Sequence, residues 1–426
     1  MQVRKLRYIH RGTEPVLNVI IYLVLLLEFG FFYLFSFPLE FYRWNSETSK
    51  YLLVGLTFIG IMIIMLTPEW QFRIKKFGFI KWYIINMIFM IFMMNFSAYI
   101  QYNVPIRDLF VTSIYLFFIF FSLLLLIKFS KDGNIDRFFS VCNLCFFIWL
   151  IICVLENIVY AYYEIHIVKN FLPDWFTRNG FVRMRFISIC YLLIPYNFYR
   201  IISIKEKKYI SIYFITFIAL IMQCLIEGTR AYSIIILFSI IGIFLSDTTR
   251  NIKNKVIVIC IMMGIILAII NTTQFKNFIF SFSLSSNNRY IYSSINRVNE
   301  VVYYIEKFSR NPILALGNIP YSSNFDALIK GPEGKFYMED VGFFGLLAKA
   351  GISACLFYFT LVFRQMYILW SVGRKNKYFS LLIGFFVFTI LSSATLIITD
   401  SQRIFLLPVI IAVFEFLFIK SKENHI

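Results

Sequence analysis

Long runs of apolar residues alternate along this chain with short clusters of charged and polar ones, and within the runs the apolar positions are nearly continuous rather than periodic. A helix needs about 20 mostly apolar residues to cross a hydrocarbon core. Twelve runs approach that length: 16–37, 51–67, 82–100, 109–127, 138–160, 184–202, 209–226, 230–246, 256–271, 341–363, 378–398 and 403–419. Lipid offers no partners for open backbone groups, and these runs are too long and too uniform for the alternating strands of a barrel. The pattern therefore predicts an all-α polytopic membrane protein, a single integral membrane domain over 1–426 with about twelve transmembrane helices. The first run follows Arg4, Lys5, Arg7 and Arg11 and has no small-x-small cleavage site, as expected of a retained signal anchor.

Two segments break the alternation, a smaller loop at 161–183 and a much larger one at 271–340. Loops of that length in a compact protein are usually functional or disordered, and the larger one is rich in Tyr, Phe and Ile. Within it Val298, Val301, Val302, Ile305 and Phe308 recur at helical spacing. This predicts an amphipathic helix over about 288–309, lying on the outer membrane face and ended by Asn311-Pro312. No internal repeat relates the two halves of the chain.

Composition agrees with the pattern: 60% of residues are hydrophobic, and the mean hydropathy is +0.75. The formal net charge of +18 resembles a nucleic-acid footprint until its distribution is followed. With the N-terminus placed in the cytoplasm, Lys and Arg concentrate in the inner segments and are sparse in the short outer loops. That asymmetry predicts cytoplasmic termini and external placement of both long loops, and no nucleic acid is expected as a partner. The seven cysteines all fall in predicted spans, so no disulfide framework is expected. CNLC at Cys142–Cys145 has CxxC spacing, but on an apolar helix packing is the simpler reading.

Charge in the outer turns changes the picture. IEGTRAYSII places Glu227 and Arg230 between two spans, Asp400-Ser401-Gln402-Arg403 lies between the last two, and Arg289, Arg297 and Arg310 fall in the large loop. Arg also occupies the short turns at Arg43 and Arg107. The guanidinium fork suits bidentate capture of phosphate or carboxylate, so outward arginines form a candidate site for an anionic, lipid-borne group. The plainer alternatives are local pairing of Arg230 with Glu227 and of Arg403 with Asp400, and a solvated helix face for Arg297 and Arg310. Glu339 and Asp340 sit where the tenth span begins. Asp340 is placed either to cap that helix or, with Glu339, to supply a general base. Lys349, further along the same span, is a functional candidate because an intramembrane charge is costly; the alternative is a structural pair with Glu28 or Glu156. Of the three histidines only His166 lies in a long loop, and no set of metal ligands surrounds it. Neither a GxxxxGK[ST] loop nor a GxSxG motif occurs.

Three stretches in order, EGTRAYSII, INRVNEVVYYIEKFSRNPILALGN and MEDVGFFGLLAKAGI, resemble the bacterial O-antigen and capsule repeat-unit polymerases and the related O-antigen ligases. The likeness extends to layout over nearly the whole chain, with about a dozen spans, cytoplasmic termini and one large external loop in the C-terminal half. The ligases carry a histidine in that loop, and 271–340 contains none, which favours a polymerase. The resemblance implies a metal-independent transfer at the outer face of the bacterial plasma membrane, with no cofactor. In it a glycan leaves undecaprenyl diphosphate and joins the terminal sugar of a carrier-linked repeat unit. Carrier-linked donor and acceptor, membrane lipid and a chain-length regulator protein are the implied partners. Arginines, with Arg230, Arg297 and Arg403 foremost and Arg310, Arg289 and Lys349 behind them, would hold the diphosphate, and Asp340 or Glu339 would take the proton. A flippase for the same lipid-linked unit, a membrane acyltransferase and an accessory protein without chemistry are the alternative classes.

Overall fold

The computed structural model describes residues 14–30, 47–66, 78–168, 177–178, 181–182, 187–203, 207–227, 230–247, 290–320, 324–332 and 334–423. Helices dominate them. Among the described residues four helical stretches are long and apolar enough to cross a membrane: Ile80–Tyr102, Ile106–Asp132, Asp136–Tyr163 and Ile352–Val372. Shorter apolar helices cover Pro15–Glu28, Lys50–Met65, Ile210–Ile226, Ala231–Ser246 and Phe379–Ser392. The predicted span at 256–271, residues 31–37 of the first predicted span, the large loop before Tyr290, and part of the smaller loop lie outside the described residues.

The chain divides into two compact units. The first takes residues 1–87, 114–171 and 404–426. It contains α1 (Glu14–Glu28), α2 (Glu47–Met65), the start of α3 (Ile80–Tyr102), a 3-10 segment Ile114–Phe120, α5 (Phe121–Asp132), α6 (Asp136–Tyr163) and α15 (Leu406–Glu423). Here α15 packs on α5, and α1 on α2. The apolar seam between them is aromatic: Phe118, Phe121 and Phe405 meet at ring separations of 5.0–5.8 Å, within the range of favourable offset and tilted pairs.

The second unit takes residues 88–113 and 172–403. Besides the rest of α3 it contains α4 (Ile106–Ser113), a two-residue antiparallel ladder of β1 (Thr177–Arg178) and β2 (Phe181–Val182), α7 (Cys190–Ser203), α8 (Lys207–Glu227) and α9 (Arg230–Ser246). After the large loop come α10 (Tyr290–Arg310), α11 (Asp326–Ile329), a 3-10 turn Met338–Val341, α12 (Phe343–Ala350), α13 (Ile352–Val372) and α14 (Phe379–Ser392). Helix α9 packs along α14, where Gly384 lies so close to Ile243 that a side chain there would collide with it; small residues allow such approach between spans.

The structure departs from the sequence-based expectation at two spans. The run at 341–363 is one helix by pattern, but it breaks at Gly351, whose φ of +62° suits glycine. A Cβ there would sit 2.5 Å from the Ile313 carbonyl oxygen. The break leaves helical partners unmatched, and the segment after α10 supplies them: Ile352 N–H donates to Pro312 O at 2.9 Å, and Leu316 N–H donates to Ala348 O at 2.8 Å. The run at 378–398 likewise stops being helical at Ser392. Hydroxyls at its end, Thr389, Ser392 and Ser393, donate to carbonyls three or four residues back, a local competition that weakens helices. The following turns, up to Phe405, nonetheless bury Leu396, Ile397, Ile398, Thr399 and Asp400. Irregular backbone of this kind survives in a membrane protein only where protein or a polar cavity covers it, and Tyr232 of α9 donates its hydroxyl to Leu396 O at 2.8 Å.

Helix α10 forms almost where the spacing predicts, but its packing face is the unexpected one. Val298 and Val302, from the predicted apolar stripe, are 63% and 61% exposed, whereas Glu300 and Tyr304 are buried. Tyr304 joins a core with Leu109, Leu316, Ile329, Phe336 and Val341. Its hydroxyl and that of Tyr303 donate to Ile329 O and Leu328 O, each at 2.7 Å, tying α11 beneath the helix.

Candidate functional site

The buried face of α10 leads to the site. Arg297 and Glu300 are three residues apart and therefore neighbours on it. The guanidinium Nη2 of Arg297 lies 3.9 Å from Oδ2 of Asp340, with both side chains partly exposed. Arg297 Nε is buried and has no hydrogen-bond partner, and neither has Glu300 Oε2. Glu300 itself is only 3% exposed. Burial and the charge of Asp340 push its carboxyl up to about 7, against the opposing pull of Arg297 and of the Tyr337 backbone N–H. Burial likewise raises the Tyr304 phenol beside it.

Asp340 is held by its backbone. It lies in the 3-10 turn Met338–Val341, and Gly342 follows with φ +59°. A Cβ on Gly342 would clash with Ser393 O and stand 2.7 Å from Thr395 N. Phe343 N–H donates to Ser393 O at 2.7 Å, and Thr395 Oγ1 donates to Asp340 O at 3.1 Å. The turn that carries Glu339 and Asp340 is thus clamped onto the irregular segment after α14. Capping is not the role of Asp340, because α12 starts at Phe343 with Gly342 at its N-cap and no side-chain cap bond; the positive-φ glycine separates the aspartate from the helix.

The same irregular segment carries Asp400 and Arg403, which form an ion pair with side chains only 2% and 13% exposed. The local pairing that the spacing allowed for Arg403 is therefore present, but buried. The guanidinium also lies over the Tyr232 ring, 5.4 Å from its centroid, a cation–π contact. Tyr232 in turn stacks on Tyr191 at 4.0 Å. Asp400 Oδ1 and Thr399 Oγ1 are buried without partners. Lys349, on α12, feels the charges of Glu339 and Asp400. In the first unit the buried Glu156 carboxylate meets His166 Nδ1 at 2.6 Å and accepts from the Ile167 and Val168 N–H groups.

Of the candidate residues, the structure brings Arg297, Glu339, Asp340, Lys349 and Arg403 into one electrostatically connected set, since the charge of Asp340 also acts on Arg403. It does not bring in Arg310, which pairs with Glu306 one turn away on the exposed face of α10. Arg107 is exposed on α4. Arg230 is the first residue of α9, two positions before Tyr232, with its side chain outside the described atoms. Arg289 and Arg43 lie outside the described residues. Sequence reasoning missed Glu300, and its one signal was its place one turn after Arg297. Among the described residues no cluster of three or more His, Cys, Asp or Glu side chains is arranged as a metal site.

The chain matches no protein-family profile and no curated protein. Arg297 keeps one donor, Nε, unpartnered beside a partly exposed carboxylate, a pairing that can hold an anionic group and accept a proton in one place. Arg403 is bound up in a buried pair and serves first to hold the segment that Asp340 rests on.

Proposed function

We propose that the chain is a polysaccharide repeat-unit polymerase, a metal-independent glycosyltransferase of the bacterial plasma membrane. In this reading it has about twelve spans, cytoplasmic termini and the 271–340 loop outside. The observation that carries the proposal is the placement of Arg297, with an unpartnered buried Nε, against Asp340 at 3.9 Å. The exposed apolar stripe of α10, Val298, Val302 and Ile305, supports it, because an exposed apolar stripe lies naturally in the bilayer interface and would bring Arg297 to the level of lipid headgroups.

The reaction transfers a glycan from undecaprenyl diphosphate to a hydroxyl of the terminal sugar on a second carrier-linked unit. The bond from the anomeric carbon to the diphosphate oxygen breaks with its electron pair leaving on the diphosphate, and the acceptor oxygen forms the new bond to that carbon. Arg297, with Arg230 as a second donor, neutralises the charge that develops on the leaving group, the kind of stabilisation that is worth most in a water-poor site. The acceptor proton passes to Asp340, with Glu339 as its neighbour on the same turn.

Deleting the gene and resolving surface glycan on a gel tests the reading. A polymerase loss leaves single repeats at the surface, and the full-length chain restores the ladder. Absence of all surface repeats points instead to a flippase and ends the proposal.

A further inference from the structure

We infer that Glu300 is the proton-controlled counter-charge of Arg297: when protonated it leaves the guanidinium free to take an anionic group, and when ionised it competes for that guanidinium. The inference rests on the reading of Arg297 as a diphosphate-binding residue, and it makes Glu300 a positioning residue rather than a catalytic one, because its carboxyl is too buried to touch a substrate.

The geometry is that of two unmatched groups on one helix face. Arg297 Nε is a buried donor without an acceptor and Glu300 Oε2 a buried acceptor without a donor, although the two residues are one turn apart. Leaving such groups unmatched costs free energy: the Arg297 Nε–H lacks an acceptor, which an anionic group can supply, and Glu300 Oε2 lacks a donor, which makes its neutral form less costly to bury. Among the described residues the groups that act on Glu300 are Arg297 and Tyr304 of its own helix and Asp340 of the 3-10 turn that packs on it, while Glu339 of that turn acts on Tyr304. The Tyr337 N–H adds a backbone donor. Lys349 is on α12, which also packs on α10, and it is engaged electrostatically with Glu339 and Asp400. With its carboxyl pushed up to about 7, Glu300 changes charge within the neutral range. When it is protonated, Arg297 and Asp340 balance each other. When it is ionised, the trio is negative by one charge, and an incoming diphosphate meets added repulsion as well as a competitor for the guanidinium.

The test measures binding of citronellyl-diphospho-N-acetylglucosamine to the full chain in detergent micelles between about pH 5.5 and 8.5. This probe is a diphosphate diester and lacks the proton that a terminal phosphate loses near neutrality, so its own charge stays constant. The expected result is an affinity about tenfold weaker at the alkaline end, the size of one unit of coupling between proton and ligand. Glu300→Gln should bind with the tighter affinity throughout. A slope in Glu300→Gln equal to that of the wild type overturns the inference while leaving the anion site standing. No binding by the wild-type chain at any pH overturns the functional reading, and the inference with it. Should Glu300→Gln yield no folded protein, Asp340→Asn provides the same test. Removing the negative neighbour lowers the pH at which Glu300 ionises, so the midpoint of the weakening must move down, and an unmoved midpoint overturns the inference.

Discussion

Arg297 and Arg310 stand on the same helix and carry the same side chain, yet the structure places them in opposite circumstances. Arg310 is 68% exposed and pairs with Glu306 along the helix surface. Arg297 is 37% exposed, faces Asp340 across the fold, and keeps a buried donor unused. A surface pair one turn apart is worth only a few tenths of a kcal/mol, whereas the partly buried Arg297 guanidinium keeps its Nε unpartnered, as the proposed binding role requires. Residue type and loop membership do not separate the two. The deciding quantity is which face of α10 the rest of the unit covers.

Five substitutions, at four residues, sharpen or break that comparison. The largest effect is expected from Arg403→Ala, which leaves Asp400 buried and unpaired. Breaking a buried pair costs about 3–5 kcal/mol, so protein level, melting temperature and polymer should all fall together; a stable, inactive Arg403→Ala chain would instead put Arg403 beside Arg297 as a ligand-binding residue. Next comes Arg297→Ala. Its contact with Asp340 is long and partly exposed, so stability should change by less than about 1 kcal/mol, while the polymer ladder collapses to single repeats at unchanged protein level. Arg297→Lys should recover part of it, because charge remains and the fork is lost. Full polymer from Arg297→Ala would erase the distinction from Arg310.

Glu300→Gln should act on stability in a pH-dependent way. The Glu300 carboxyl has an ordinary value of 4.5 and lies near 7 in the folded chain. Its raised folded value means that the protonated form is the one that suits the fold. Its contribution is therefore fully present below about pH 4.5, is lost as pH rises, and is gone above about pH 7. Relative to wild type, Glu300→Gln should thus gain melting temperature between acid and neutral pH, by a few degrees, and show a constant difference beyond it. Thermal unfolding in detergent at several pH values reads this directly, and a difference independent of pH would place the Glu300 carboxyl in an ordinary solvated state. Arg310→Ala closes the series with a change under about 0.5 kcal/mol and a wild-type ladder.

Much of the helical frame was legible in the sequence. The predicted run 230–246 coincides with α9, and those at 82–100 and 138–160 lie inside α3 and α6. The site was only half legible. Asp340, Glu339, Lys349 and Arg403 were visible as charges near the ends of apolar runs and Arg297 as a charge in the large loop, but the charge pattern by itself did not separate Arg297 from Arg310 and passed over Glu300.

What the sequence by itself determined is the helical, apolar character of the chain and the places where its runs begin and end, because run length, hydropathy and loop charge are properties of neighbouring residues. The tertiary structure alone decided that the tenth run breaks at Gly351, where Pro312 and Leu316 take over the missing hydrogen bonds. It alone decided that the chain unwinds after Ser392 into turns that carry Asp400 and Arg403, and that α10 packs through Glu300, Val301, Tyr303 and Tyr304 while Val298 and Val302 stay exposed. Each of these depends on a group remote in sequence supplying a hydrogen bond, a charge or a covering surface, and no local pattern records whether that group will be there.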